Sequence, residues 1–399
     1  MKKIFIVLSV IAFLIYLISL KIESPHVAYA EDNEKKDEVN ETVNEAFTSV
    51  LDDMDLSVFE EFLRETEIFN AETSVQDLIK KIINNDSTYS FDFFLKYIIR
   101  YFLGDIKSIV AEVILILLIC ILLSIMQNAS SGFSKASTKK IVYLACYGIV
   151  ITSITVLIGT AIADANTLIQ KVERFSTTFF PIMLALMNMI GASASIAVYQ
   201  PLFLVFTNIL IKVITYFVMP LFYCCFVFYI VGNLSEDIKL EKAAKFLQSL
   251  ANWTMGILFG SFVTFTTAQG ITGASVDSLA AKGLKYVLSG YVPVIGNYLK
   301  DGFDVIIAGC LIVKNSLGMV SVILLFALLL PVCLKLVLSS LSLQLTASLC
   351  EPFSDKKISS MLSGVSKALY IPIIAVISLI FTLLIIVMLI ILTCNRGII

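Results

Sequence analysis

The sequence predicts an all-α, polytopic helical membrane protein with broken or re-entrant helices and a small N-terminal extracytoplasmic helical region, and three observations carry that prediction. Mean hydropathy is +0.92. Of the 399 residues, 58% are apolar and only 15% charged, too few charges to coat a soluble globule of this size. Uncharged runs long enough for a bilayer recur, and from Ser176 to Ser235 the single charge is Lys212. Charge is also partitioned along the chain: 18 acids face 5 bases from Glu31 to Asp92, whereas 12 acids face 21 bases from Phe93 onward.

Lys2 and Lys3 precede an apolar run from Ile4 to Leu20, and Ala28-Tyr29-Ala30 supplies the small-x-small pattern of a cleavage site. Residues 1–30 therefore read as a secretory signal, with an uncleaved anchor as the alternative. Either way the acidic region 31–88 is exported. Within it Val43, Phe47, Val50, Leu51 and Met54 repeat at helical spacing, Ser57 to Glu60 resembles a capping box, and Val75, Leu78, Ile79, Ile82 and Ile83 form a stripe behind Ser74. Helices this short must bury their stripes against each other or a partner, so the region reads as a small helical domain or as a solvated helical tether.

Residues 89–104 differ in kind, since Phe91, Phe93, Phe94, Tyr97, Tyr101 and Phe102 crowd together with Lys96 and Arg100, as in an interfacial helix. A multi-span domain follows over 105–399, with six to eight crossings expected. The first span, Ile106 to Met126, is followed by Lys135, Lys139 and Lys140 with no acid, which places that loop in the cytoplasm and agrees with an exported N-terminus. A second span covers Ile141 to Ala163, and a polar connection leads from Asp164 to Phe175. Clear spans at Leu317 to Leu338 and Ala368 to Thr393 finish the chain.

The stretch between these blocks is less regular. Pro181, Pro201 and Pro220 punctuate the long uncharged region, and Gly191 opens a small-residue run to Ser195. Nine of the 18 glycines fall between Gly256 and Gly309, and the apolar runs Tyr286 to Leu299 and Val305 to Val313 are too short to cross. Such segments read as broken or re-entrant helices lining a cavity, or as interfacial hairpins. The candidate transport path or helix breaks are accordingly Gly191, Lys212, Gly270, Gly273, Pro293, Gly296, Asp304 and Lys314. Lys212, Asp304 and Lys314 are chosen because charge at membrane depth is expensive.

Several functions are disfavoured. His26, the one histidine, lies in the signal segment, no CxxC pair occurs among the eight cysteines, and HExxH, GxGD and P-loop patterns are missing, so no enzyme, metal or cofactor site is expected. The acidic exported region gives no support to nucleic-acid binding.

The C-terminal half carries an ordered set of motifs: Thr266 to Gly273 (TTAQGITG), Tyr291 to Gly296 (YVPVIG), Leu311 to Gly318 (LIVKNSLG) and Glu351 to Asp355 (EPFSD). Together with Gly191 to Ser195 and Pro201, these resemble the stage III sporulation protein AE family of endospore-forming bacteria. The resemblance runs from about Tyr89 to the last span and is poor over Glu31 to Asp86. It implies a multi-pass protein of the mother-cell membrane around the forespore. Its partners would be sister sporulation membrane proteins and a forespore-membrane protein across the intermembrane space. The complex would be channel-like, with this chain as its permease-like component, required for late forespore development. The alternative is a non-conducting platform that recruits partners. Homo-oligomerisation stays open, and the resemblance brings no catalytic residues.

Overall fold

The structure, a computed structural model, describes residues 56–64, 74–83, 136–234, 240–270, 296–352 and 356–393, with parts of 48–51 and 104–125. The signal segment, the aromatic segment up to Leu103, Gly273 and Pro293 lie outside the described residues. Every described element is helical. Two short helices, α1 (Ser57–Arg64) and α2 (Val75–Ile83), precede α3 (Ala136–Met189), a single helix of 54 residues. A nearly continuous rod follows: α4 (Ser193–Pro201), π1 (Leu202–Phe206), α5 (Thr207–Val213), π2 (Ile214–Val218) and α6 (Met219–Val231). Then come α7 (Glu241–Gly270), the 55-residue α8 (Gly296–Cys350), α9 (Lys356–Ala368) and α10 (Tyr370–Leu392).

Among the described residues four stretches are long and apolar enough to cross a membrane: Ile141–Met189, Ser195–Val231, Ile307–Cys350 and Lys357–Leu392. The chain is a helical membrane protein. At 1.5 Å per residue, α3 and α8 are each about 80 Å long, far beyond the roughly 30 Å of a bilayer's hydrocarbon core.

α8 is the axis. Its most apolar window is 89% buried inside the protein, against 33% for the α3 stretch, so α8 is wrapped by protein while α3 keeps one side open. α3 runs antiparallel to it, because Asp164, midway along α3, meets Lys335, whereas Ile190, just past the end of α3, packs on Cys310 and Leu311, earlier in α8. α9 and α10 return along α8 in the same sense as α3. Ser359 Oγ donates to Ala347 O at 2.9 Å, Ser340 and Ser366 exchange hydroxyl-to-carbonyl bonds of 3.0 and 2.8 Å, and Lys314 reaches the last turn of α10. Hydroxyls bonding across helices in this way suit a low-dielectric interior, where lipid supplies no competing partner. α7 lies beside α10, with Phe259 edge-on to Phe381 and Gln248 Nε2 donating to Lys367 O at 2.6 Å.

The reversal between α3 and α4 takes place at Gly191, whose φ of 84° is left-handed. Ala192 N–H donates to Met187 O and Gly191 N–H to Asn188 O, both at 3.0 Å, the paired bonds of a Schellman turn with glycine just beyond the helix end. The small-residue run thus marks a hairpin corner. Pro181 and Pro331, by contrast, lie inside α3 and α8 without ending them.

The glycine-dense quarter departs from the broken-helix expectation at both described flanks. α7 continues through Gly256 and Gly260 to Gly270, and Val305 to Val313 belongs to the unbroken α8. The physical reason on the α8 side is that Lys314, which bounded the apolar run in sequence, is fully buried with carbonyl partners and does not stop the helix. Among the described residues a Cβ added at Gly256 or at Gly260 would meet nothing within 4 Å, so this glycine pair makes no close helix contact with them.

Close contact occurs instead at Gly364 and Gly318. A Cβ at Gly364 would sit 2.2 Å from Tyr229 Cδ1, and one at Gly318 would sit 2.5 Å from Ile391 Cγ1. Gly364→Ala should therefore destabilise by about 1–3 kcal/mol through overpacking, measured as earlier thermal unfolding in detergent, while Gly260→Ala should stay within about 0.5 kcal/mol of wild type.

Candidate functional site

The acidic N-terminal region docks on α3. Phe59 and Phe62, on one face of α1, pack edge-on against Phe175 at 6.1 and 5.4 Å between ring centroids, and Phe59 also meets Phe179. The rings continue through Phe180, Phe203 and Tyr199, which carries the contact into π1 and α4. Outside this apolar seam Arg174 Nη1 lies 3.3 Å from Glu61 Oε1, both more than half exposed. An ion pair this open contributes little by itself. Burial of Phe59 and Phe62, each 2% exposed, holds the helix down. α2 begins with a reciprocal cap: Asp77 N–H donates to Ser74 Oγ at 3.0 Å and Ser74 N–H to the Asp77 carboxylate at 3.4 Å. α1 starts one position earlier than a cap at Ser57 requires, since Ser57 is its first helical residue.

Two charged centres lie on α8. The first is Lys314, 0% exposed, whose ammonium donates to Thr393 O and, at 3.4 Å, to Ile391 O at the carbonyl end of α10. A cation at a helix C-terminus is favoured by the helix dipole, and here it also satisfies carbonyls left over by the last turn. The Thr393 hydroxyl donates to Leu389 O at 2.6 Å and lies 3.3 Å from the Tyr199 hydroxyl, so the aromatic seam ends beside the lysine's partner.

The second centre is an ion pair between two long apolar helices. Lys335 Nζ of α8 lies 2.5 Å from Asp164 Oδ2 of α3, with side-chain exposures of 23% and 43%. Asn166, two residues on, donates from Nδ2 to the Tyr223 hydroxyl at 3.2 Å. Charges at membrane depth are rare, are usually paired, and mark conduction or coupling paths often enough to be read that way.

The predicted site residues do not converge. Lys314 is in the core, Lys212 is exposed on α5 between the two π segments, and Gly191 is at the hairpin corner. Gly270 ends α7, Gly296 begins α8 and Asp304 lies in its first turns. Sequence reasoning passed over Asp164 and Lys335. A signal was present: Lys335 is the only charge in the predicted span Leu317 to Leu338.

An all-helical, multi-span membrane protein held together by buried polar contacts is the class these features define. The family described as stage III sporulation protein AE matches residues 73–394, and the chain belongs to that family. It is 26% identical over 310 residues to stage III sporulation protein AE of Bacillus subtilis (strain 168), covering 76% of this chain and 77% of that relative. No solved structure matches it. It is thus a sporulation protein of the membrane.

Two substitutions test the centres. Lys314→Met keeps the volume but strands the α10 carbonyls, and should cost about 1–3 kcal/mol, read as a lower melting temperature in detergent. Lys335→Met should destabilise more than the double change Asp164→Asn with Lys335→Met, because the single change leaves a partly buried carboxylate without its counter-ion.

Proposed function

We propose that this chain is the permease-like subunit of a channel or secretion-like complex that links mother cell and forespore. It would lie in the mother-cell membrane surrounding the forespore and work with sister sporulation membrane proteins and a forespore-membrane partner. The observation that carries the transport reading is the Asp164–Lys335 pair, a partly exposed charge pair joining two membrane-length helices. No catalytic chemistry of its own is proposed. Any energy for directed transport would come from a partner or a gradient, since the sequence contains no P-loop.

Topology fits this reading. The positive-inside rule puts the Lys135 to Lys140 end of α3 on the cytoplasmic side, so the chain runs outward along α3 toward the α1 contacts at Arg174 to Phe179. Signal-directed export of the N-terminal region would bring α1 to α3 from the extracytoplasmic side.

The platform reading draws support from Lys314, whose charge is spent on a structural cap. Reconstituting the chain with its sister proteins and recording solute flux separates the two. Flux that falls at least about tenfold in the Asp164→Asn, Lys335→Met double variant supports transport, whereas a folded, assembled sample with no flux would leave the platform.

A further inference from the structure

We propose that the outer face of α3 from Thr167 to Thr177, together with α1, is the wall of a water-filled vestibule at bilayer depth, open to small hydrated polar solutes. The inference rests on the transport reading and places its path on the α1–α3 face instead of in the glycine-dense quarter.

The depth follows from register. α10 is the least ambiguous crossing, 23 residues with no charge and about 35 Å long at helical rise. Its carbonyl end is fixed to α8 at Lys314, and its start lies near the level of Ser340, which bonds Ser366 just before α10 begins. Along the same axis α3 is fixed at Asp164 by Lys335, five residues before Ser340, and at Ile190 by Cys310 and Leu311, just past Lys314. Residues 165–189 of α3 therefore run the full length of the α10 crossing.

Over that length the other outward faces are mainly apolar, with Lys212 the one exposed charge on the rod and the exposed hydroxyls of Ser261, Thr264 and Thr267 on α7 bonded to their own helix backbone. On α7, beside α10, Ile257 and Val263 are exposed at 63% and 38%, and on the α4–α6 rod Val205, Ile209 and Phe217 are exposed too, as lipid requires. The outward face of α3 differs, with Thr167, Gln170, Arg174 and Thr177 recurring at helical spacing and all exposed. α1 adds Glu60, Glu61 and Arg64 on its open side, where with Ser57 they edge an open surface hollow. Facing hydrocarbon, these groups would be prohibitively costly, so the face borders water. The charges of the wall balance: Glu60, Glu61, Asp164 and Glu173 against Arg64, Lys171, Arg174 and Lys335. A wall with both signs interspersed disfavours neither anions nor cations and suits polar solutes at large. Water on the outside of a membrane subunit needs protein on its far side, so the passage runs between subunits, with α1 reaching into it from the extracytoplasmic side.

The single tryptophan, Trp253, makes the test direct. In a Trp253→Phe background, Gln170→Trp, Thr177→Trp, Ile257→Trp and Val263→Trp are each reconstituted, with the sister proteins, in phosphatidylcholine brominated in its acyl chains. Fluorescence is read with and without aqueous iodide. The expected result is strong iodide quenching and weak bromolipid quenching at 170 and 177, and the reverse at 257 and 263. The proposal is overturned by bromolipid quenching at 170 and 177 equal to that at 263, by quenching from neither side there, which means protein contact, or by iodide quenching at 257 and 263, which means the slab lies elsewhere. Positions 170 and 177 are read independently, so misfolding of one variant leaves the other. Absence of flux with iodide-accessible 170 and 177 would sink transport and leave the vestibule standing.

Discussion

A helix with two lysines in its apolar length survives inside a bilayer only if each ammonium has a fixed oxygen partner, and α8 meets that condition at Lys314 and Lys335. The partners lie on different helices and near opposite ends of the crossing, so satisfying the charges also sets how α10 and α3 slide along α8. Lipid offers no hydrophobic force between helices, and position along the axis must come from polar contacts and close packing. The serine exchange between α8 and α9 and the contacts at Gly318 and Gly364 add intermediate ties.

The rod from α4 to α6 shows how proline is accommodated under the same constraint. π1 directly follows Pro201, and π2 ends just before Met219 and Pro220. Widening the turn for a few residues lets the chain absorb a missing N–H without exposing backbone to hydrocarbon. Lys212 lies between the two wide turns and points outward, where its stem can run along apolar surface toward a polar level.

Fold class was legible because burial in lipid leaves a coarse mark: 60 residues with one charge can hardly mean anything else. Local signals also transferred where the physics is local, as with the stripe of Val75, Leu78 and Ile79, buried along α2, and the helix break at Gly191. What the sequence concealed was pairing. Lys314 looked like the edge of an apolar run because its carbonyl partners are 77 and 79 residues away, and Asp164 looked like part of a surface connection because Lys335 is 171 residues away. The same holds for α1, whose apolar face announced that a partner was needed without naming Phe175 and Phe179.

The lengths of α3 and α8 carry a mechanical implication. Two rods of about 80 Å, antiparallel and joined by an ion pair, act as paired levers: a tilt of about 5° about that pair moves the farther tip of α3 by about 4 Å and that of α8 by about 5 Å. A push on α1, on one side of that pivot, would be felt at the opposite tip of α3, so assembly with neighbours on one side can be signalled to the other without any rearrangement of the core.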